Sequence, residues 1–443
     1  MRRSILGTAI GNFMQWYDFG VYGYIATTIA QVFYPGNSAS ATNLIATFGT
    51  LGASFVVRPL GGFVFGVLGD RIGRKRVLIV TILLMAAGTT ATGALPGYHA
   101  IGIWAPILLI VVRILQGLST GGEYVGAMTH INEHASDRRR GMTAGFLPVG
   151  SISGYVVGAA LVTGLQTALS TGEMLSWGWR IPFLLGAPLG LIAVYLRLRI
   201  EESPAYEKMS ETEKASSGSG KQQFRRTVVQ QRKALLICIG LVLTFNITDY
   251  MLTGYLPTYL KKIVRVGDTA GPVMVLVVQV LLLATVVFVA KLSDHIGRKP
   301  ILWIGCGLLI AVSIPAFLLM RFGGSYPVTF AGVLLIGLAM LCFDSIEPSV
   351  LAALFPTSVR YGGLATAFNI SMSTFGGTTP LIAQTLISAT GNAMMPAYML
   401  IVAGLIGVIT LLFTPEVAGK PLPGSGPSVE SREEASDMAQ DVD

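Results

Sequence analysis

The sequence predicts an all-α membrane bundle of twelve transmembrane helices, built as two related six-helix halves. Three observations carry this. The 443 residues are 52% hydrophobic and only 12% charged, with a mean hydropathy of +0.65, whereas a soluble domain carries roughly a quarter charged residues. Apolar runs recur along the chain, each near the roughly 20 residues that a helix needs to cross about 30 Å of hydrocarbon. Short motifs also return in the same order in the second half. Barrel strands would be shorter and would alternate apolar with polar, so helices are the form in which this backbone satisfies its own polar groups in lipid.

The first set of spans is Thr8–Phe33, Thr42–Leu68, Val77–Leu95, Trp104–His130, Gly141–Leu165 and Ile181–Leu198. Met1-Arg2-Arg3 before the first run imitates a signal peptide. The run continues past Tyr24, contains Asn12, Gln15 and Asp18 and offers no cleavage site, so it reads as a retained helix 1. Helix 5 repeats Gly150, Gly154 and Gly158, a spacing that lets helix backbones approach closely. Residues 199–234, with Ser-Ser-Gly-Ser-Gly at 216–220 and mixed charge, read as a linker between halves. The second set is Leu235–Leu260, Gly271–Ala290, Ile301–Met320, Pro327–Leu351, Gly362–Ile387 and Met394–Phe413. The tail, 414–443, is Pro/Gly-rich and then acidic and is expected to be disordered.

Of the 31 Lys and Arg, 24 fall on the side of the termini, against Lys261, Lys262, Arg265 and Arg321 on the other. That bias predicts a multi-pass protein of the cell inner membrane with both termini cytoplasmic. The net charge of +8 is then an orientation signal and not a nucleic-acid surface. Cys238, Cys306 and Cys342 form no CxxC pair, and His99, His130, His134 and His295 show no metal-ligand spacing, so no metal is expected.

Asp18-Phe19-Gly20-Val21-Tyr22-Gly23-Tyr24 in helix 1 is matched by Asp249-Tyr250-Met251-Leu252-Thr253-Gly254-Tyr255 in helix 7. Leu68-Gly69-Asp70-Arg71-Ile72-Gly73-Arg74-Lys75 returns as Leu292-Ser293-Asp294-His295-Ile296-Gly297-Arg298-Lys299, and the stretch from Arg140 to Phe146 as Arg360 to Phe368. Three ordered matches mean duplication. A duplicated six-plus-six bundle has its central site on the seam between halves, where it can be exposed alternately to either side, and this argues for a carrier.

Gly66 to Lys75 carries the Gly-x-Leu-x-Asp-Arg-x-Gly-Arg-Lys pattern that resembles the signature loop of the major facilitator superfamily. Within it, Asn12, Trp16 to Gly23, Arg58-Pro59-Leu60-Gly61-Gly62, Gln116-Gly117, Gly121 to Tyr124 and Trp177 to Phe183 are similar to the metabolite:proton symporters. Ala367 to Ser371 and Met394 to Tyr398 resemble the branch that carries the zwitterionic compatible solutes glycine betaine and proline. The resemblance implies alternating-access symport of a small polar solute with protons. It implies no enzymatic activity and no cofactor beyond the proton gradient, with membrane lipid as surroundings and the single chain as functional unit. An organic acid such as citrate, 2-oxoglutarate or a shikimate-like molecule is the alternative cargo, and proton-drug antiport a weaker one.

An ionisable group near mid-bilayer costs roughly 2.5–3.5 kcal/mol, so such groups face the bundle interior and are candidates for function. They are Asp18, Arg58, Arg113, Glu123, Asp249, Asp344 and Glu347. Asp18 and Asp249, in duplicated helices, are expected to face each other across the seam. Arg113, Gln116, Thr120 and Glu123 fall on one arc of helix 4 and are expected to line the cavity, with Arg113 on a substrate carboxylate and Glu123 carrying the proton. A permanent Arg113–Glu123 ion pair is the other reading. Asp344 and Glu347 are either a second proton site or solvated acids at the mouth. Trp16, Tyr17, Tyr250 and Phe343 are candidates for a cation-π surround, and Gln15 and Asn369 for further substrate contacts. The repeated loops, with Gly66, Asp70, Arg71, Gly73 and Arg74 in one and Asp294, Gly297 and Arg298 in the other, read as latches. In each, the Asp holds a neighbouring helix N-terminus in one state and releases it in the other.

Overall fold

The structure, a computed structural model, describes residues 2–36, 40–62, 64–65, 74–198, 229–356, 359–424 and 428. The first half consists of α1 (Arg2–Tyr24, continued by Ala26–Val32), α2 (Ala41–Val56, running on to Gly62), α3 (Arg74–Ala94), α4 (Trp104–Thr120, then Glu123–His134), α5 (Arg140–Ala144, then Phe146–Ala168) and α6 (Arg180–Leu184, then Gly186–Leu198). The second half consists of α7 (Arg232–Tyr250, wound on through Met251–Tyr255 to Leu260–Val264), α8 (Ala270–Ile296), α9 (Arg298–Phe322), α10 (Tyr326–Asp344, then Glu347–Ala352), α11 (Arg360–Ser371, wound on to Thr379–Thr390) and α12 (Met395–Phe413). Among the described residues, nine helical stretches are long and apolar enough to cross a membrane. The chain is a multi-pass membrane protein with no strand among those residues.

Packing repeats with the sequence. In the first half α1 packs along α5, α2 against α4, and α3 against α4 and α6. In the second half α9 packs against α10 and α12, α7 against α11 and α12, and α8 against α10. The halves meet where α5 crosses α8 and α2 crosses α11. Glycines on α5 and α1 permit a close crossing of those two helices. A Cβ on Gly158 would stand 2.7 Å from the Tyr17 carbonyl oxygen of α1, and one on Gly20 would stand 2.7 Å from the Tyr155 carbonyl oxygen of α5. Side chains there would force the two helices apart.

Two expectations about the elements change. α8 extends to Ile296, so Asp294 lies in its last helical turn and not in a loop after the helix. The chain reverses at one residue, Gly297, whose φ of 96° is open to glycine and whose missing Cβ leaves room for a Glu416 carboxylate oxygen 2.9 Å away. The folded chain also does not end at residue 413. Residues 414–424 lie across the end of the bundle. Glu416 accepts hydrogen bonds from the Arg298 and Lys299 N–H groups at 3.1 and 2.9 Å, and so caps α9. The Lys420 carbonyl accepts from Arg140 at 2.8 Å and the Pro423 carbonyl from Arg360 at 3.0 Å. Residues 199–228 of the expected linker and 429–443 of the tail lie outside the described residues.

Burial raises the Glu416 carboxyl, but four backbone N–H groups, those of Ala418, Lys299, Arg298 and Val417, outweigh it and hold the group below the ordinary glutamate range. Its stabilisation is therefore present above the unfolded value and lost as pH falls through the lower folded value. Glu416→Gln is expected to cost about 1 kcal/mol at pH 7. The gap to wild type in detergent-solubilised thermal unfolding is expected to close as pH drops below about 4.

Candidate functional site

The interior charges divide into a paired set and an unpaired set. In the first half, Asp18 of α1 is 1% exposed and forms an ion pair with Arg113 of α4. Its other oxygen accepts from Thr89 of α3 at 2.9 Å and from Gln116 of α4 at 3.1 Å, and Gln116 also donates to Thr89 at 3.0 Å. The Arg113 guanidinium lies 4.2 Å from the Tyr22 ring centroid. One carboxylate thus ties three helices together, and the partner of Arg113 is Asp18, not Glu123.

The unpaired set lies on the seam. Arg58 of α2 is 2% exposed, and among the described residues no carboxylate pairs with it. Its guanidinium lies 4.0 Å from the Phe55 ring centroid and 5.3 Å from that of Phe19. Tyr250 of α7 packs edge-on to Phe55 at 5.2 Å and stacks on Trp16 at 5.9 Å, and its hydroxyl has no hydrogen-bond partner. Tyr250 is flanked in sequence by Asp249 and packs on the same Phe55 ring that faces Arg58. Asp249, Asp344 and Glu347 are 2%, 6% and 4% exposed. One oxygen of each Asp lacks a hydrogen-bond partner, the Tyr124 hydroxyl lies beside Glu347, and no described cation pairs with any of the three.

Asp249 and Asp344 line one cavity together with Trp16, Tyr124, Gln279 and Tyr155. Its free volume, about 10 Å³, is room for about one water molecule. The halves close on both sides of it. Toward one end, the Tyr155 hydroxyl donates to the Thr253 carbonyl and the Tyr24 hydroxyl to the Pro272 carbonyl at 3.0 Å. Toward the other, Asn369 of α11 donates to the Gly121 carbonyl, Asn132 to the Pro348 carbonyl at 2.8 Å, and Arg360 pairs with Glu133 at 2.8 Å. There too the Asp294 carboxylate accepts from the Gly141 and Met142 N–H groups at 2.7 and 2.9 Å, at the N-terminus of α5. Arg298 lies 3.6 Å behind the same carboxylate.

Several placements differ from the sequence reading. Asp18 and Asp249 do not face each other. Trp16 takes the seam face of α1, and two residues of helix turn Asp18 by about 200°, into its own half. The polar arc of α4 is not one cavity wall. Arg113 and Gln116 are spent on Asp18, Thr120 bonds back to the Gly117 carbonyl at 3.0 Å, and the helix breaks at Gly121-Gly122 before Glu123, which is 5% exposed. Tyr17 donates to the Pro182 carbonyl at 2.7 Å within the first half, and Phe343 packs toward Gly305 of α9, so neither joins the aromatic group. Gln15 is buried with its side-chain oxygen unpartnered. Gly66, Asp70, Arg71 and Gly73 lie outside the described residues, as does the side chain of Arg74.

Sequence reasoning missed Thr89, Phe19, Phe55 and Gln279. A lone Thr, Phe or Gln in a membrane helix carries no signal of its own. The break in α10 between Asp344 and Glu347 falls 224 residues after the break between Thr120 and Glu123, the same offset that relates the two loops, and this register pairs Glu123 with Glu347, near where the sequence repeat puts it.

Residues 8–377 match the family profile described as Major Facilitator Superfamily. The chain is 40% identical to the glycine betaine/proline/ectoine/pipecolic acid transporter OusA of Dickeya dadantii, over 100% of this chain and 88% of that one. It is 39% identical to the proline/betaine transporter of Escherichia coli strain K12, over 99% and 88% of the two chains. A solved structure of the xylose transporter XylE from E. coli, in a partially occluded inward-open conformation, matches with a TM-score of 0.73 at 18% identity, covering 95% of this chain and 99% of that one. This last likeness concerns the fold alone.

Two outcomes test the geometry. Arg113→Met leaves Asp18 buried without its cation and is expected to cost about 3–5 kcal/mol, against about 1 kcal/mol for Thr89→Val, both read by chemical unfolding in detergent. Asp294→Asn removes one charged acceptor from the α5 N-terminus. Amide hydrogen exchange over residues 141–146 is expected to speed by about tenfold or more, with the rest of α5 unchanged.

Proposed function

We propose that this chain, which belongs to the Major Facilitator Superfamily, imports a zwitterionic compatible solute of the glycine betaine and proline kind together with protons. It is a membrane transporter, and the proposal concerns its cargo, coupling and site. The observation that carries the cargo is the set of opposite, unpaired charges on the seam. Arg58 and the acids Asp249, Asp344 and Glu347 are all buried and without an ion-pair partner among the described residues, and Tyr250, next to Asp249 in α7, packs on the Phe55 ring that faces Arg58. A small molecule with a carboxylate at one end and an ammonium at the other complements both at once, and it offsets a desolvation cost that either charge alone would carry. The names of the relatives at 39–40% identity support the same class.

An organic dianion fits this site less well. It calls for two available cations, and Arg113 is already neutralised by Asp18. The three acids of α7 and α10 would repel it.

In this reading Asp18 is the proton site. Charged, it holds α1 to α3 and α4. Protonated, it gives up the Arg113 ion pair and loosens α1, whose opposite face carries Trp16 at the cavity. Glu123, Asp249, Asp344 and Glu347 remain candidates for a second proton. Arg58, Trp16 and Tyr250 are the substrate contacts best supported by the geometry. Asp294 acts as a latch, because its two bonds to α5 join the halves on one side of the cavity and must break for that side to open. In this reading the protein works in the inner membrane with both termini cytoplasmic, which its charge bias supports.

The test is uptake of labelled glycine betaine, proline, citrate and 2-oxoglutarate into proteoliposomes under an inward proton gradient. Betaine or proline is expected to accumulate and a protonophore to abolish it. Asp18→Asn is expected to lose gradient-driven accumulation by more than about tenfold while keeping betaine exchange, because removing a coupling group spares the binding step. Accumulation of only an organic acid would overturn the cargo.

A further inference from the structure

A charged guanidinium inside a membrane bundle needs a counter-charge, and Arg58 has none among the described residues. What faces it is the π surface of Phe55 and Phe19, at 4.0 and 5.3 Å from ring centroid to guanidinium carbon. Both distances lie within the roughly 6 Å over which a cation is attracted to an aromatic face. The same rings belong to a larger cluster. Phe19 and Phe55 lie 4.8 Å apart, Tyr250 lies 6.0 and 5.2 Å from them, and Trp16 lies 5.9 Å from both Phe19 and Tyr250. Two of these rings, Phe19 of α1 and Phe55 of α2, thus hold one site on the seam, with Tyr250 and Trp16 packed against them, and the cation on that site belongs to the protein.

We infer that Arg58 is a tethered competitor for a cation cage built on the faces of Phe55 and Phe19 and backed by Tyr250 and Trp16, and that it selects zwitterions over simple cations. The inference rests on the proposed cargo and adds how the site chooses it. A quaternary ammonium that enters the cage displaces the guanidinium, which then has no partner unless the ligand brings one. Glycine betaine supplies a carboxylate on the same molecule, so the displaced Arg58 gains a charge-assisted hydrogen bond as it leaves the rings. Choline carries the same trimethylammonium group without a carboxylate, and its entry strands a buried cation. Arg58 therefore works by making the wrong ligand costly as well as by binding the right one.

The experiment is direct binding of labelled glycine betaine and labelled choline to the purified full-length protein, wild type against Arg58→Leu and, with a side chain closer in polarity, Arg58→Gln. Wild type is expected to prefer betaine. In either variant betaine is expected to weaken and choline to tighten, each by about tenfold (about 1.4 kcal/mol), since the cation-π site is no longer contested. Phe55→Leu is expected to weaken both ligands. Choline binding that is unchanged or weaker in both Arg58 variants overturns the inference and leaves the transport reading standing. If wild type binds no betaine, the proposed cargo fails by itself. The choline measurement then decides the cage alone, tightening supporting it and no tightening refuting it.

Discussion

Every ionised group carried into an apolar bundle has to be neutralised, and this requirement orders the interior of the protein. In the first half it is met inside the fold. Asp18 takes Arg113, Thr89 and Gln116 from two other helices and leaves little for a ligand to do. On the seam it is not met. Arg58 leans on aromatic faces, and no described cation pairs with Asp249, Asp344 or Glu347 in the interior. Burying such groups without partners costs several kcal/mol each, an expense that a fold keeps only where something else returns it. The contrast between the paired Asp18 network and the unpaired seam is what supports the proposed binding on the seam and proton coupling next to it.

The closure of the seam depends on a different kind of contact. Most of the bonds that join the halves end on backbone groups: Asp294 on the Gly141 and Met142 amides, Asn369 on the Gly121 carbonyl, Tyr155 on the Thr253 carbonyl and Tyr24 on the Pro272 carbonyl. Contacts of this type are positioned by helix geometry, and they form or break as a set when one half tilts against the other. Small residues make them possible, since a Cβ at Gly141 would stand 2.6 Å from an Asp294 carboxylate oxygen. The segment from Glu416 to Pro423 adds a strap over one end. It caps α9 through Glu416 and receives Arg140 from the first half and Arg360 from the second.

The duplication connects these observations. Arg140 and Arg360 occupy corresponding positions, and the Nε–H of each donates to a backbone carbonyl eight residues earlier, Asn132 and Ala352. α4 and α10 break at corresponding points. The copies differ where chemistry is needed. Asp18 corresponds to Asp249, yet one is paired and the other is not, because Arg113 of α4 has no basic counterpart in α10.

Hydropathy, repeat and charge bias by themselves determined the helical membrane class, the order of the helices and the identity of the interior charges. Those properties follow from the transfer of single segments into lipid, which depends on each segment's own composition. Which charges pair was decided only by tertiary structure. Helical periodicity placed Arg113, Gln116 and Glu123 on one arc but carried no information on where that arc points, nor on the break at Gly121-Gly122 that divides it. The cage rings Phe19 and Phe55 were invisible for a related reason. An aromatic side chain in a membrane helix looks the same facing lipid, core or ligand, and only the crossing of α1, α2 and α7 packs four of them together and turns two toward Arg58.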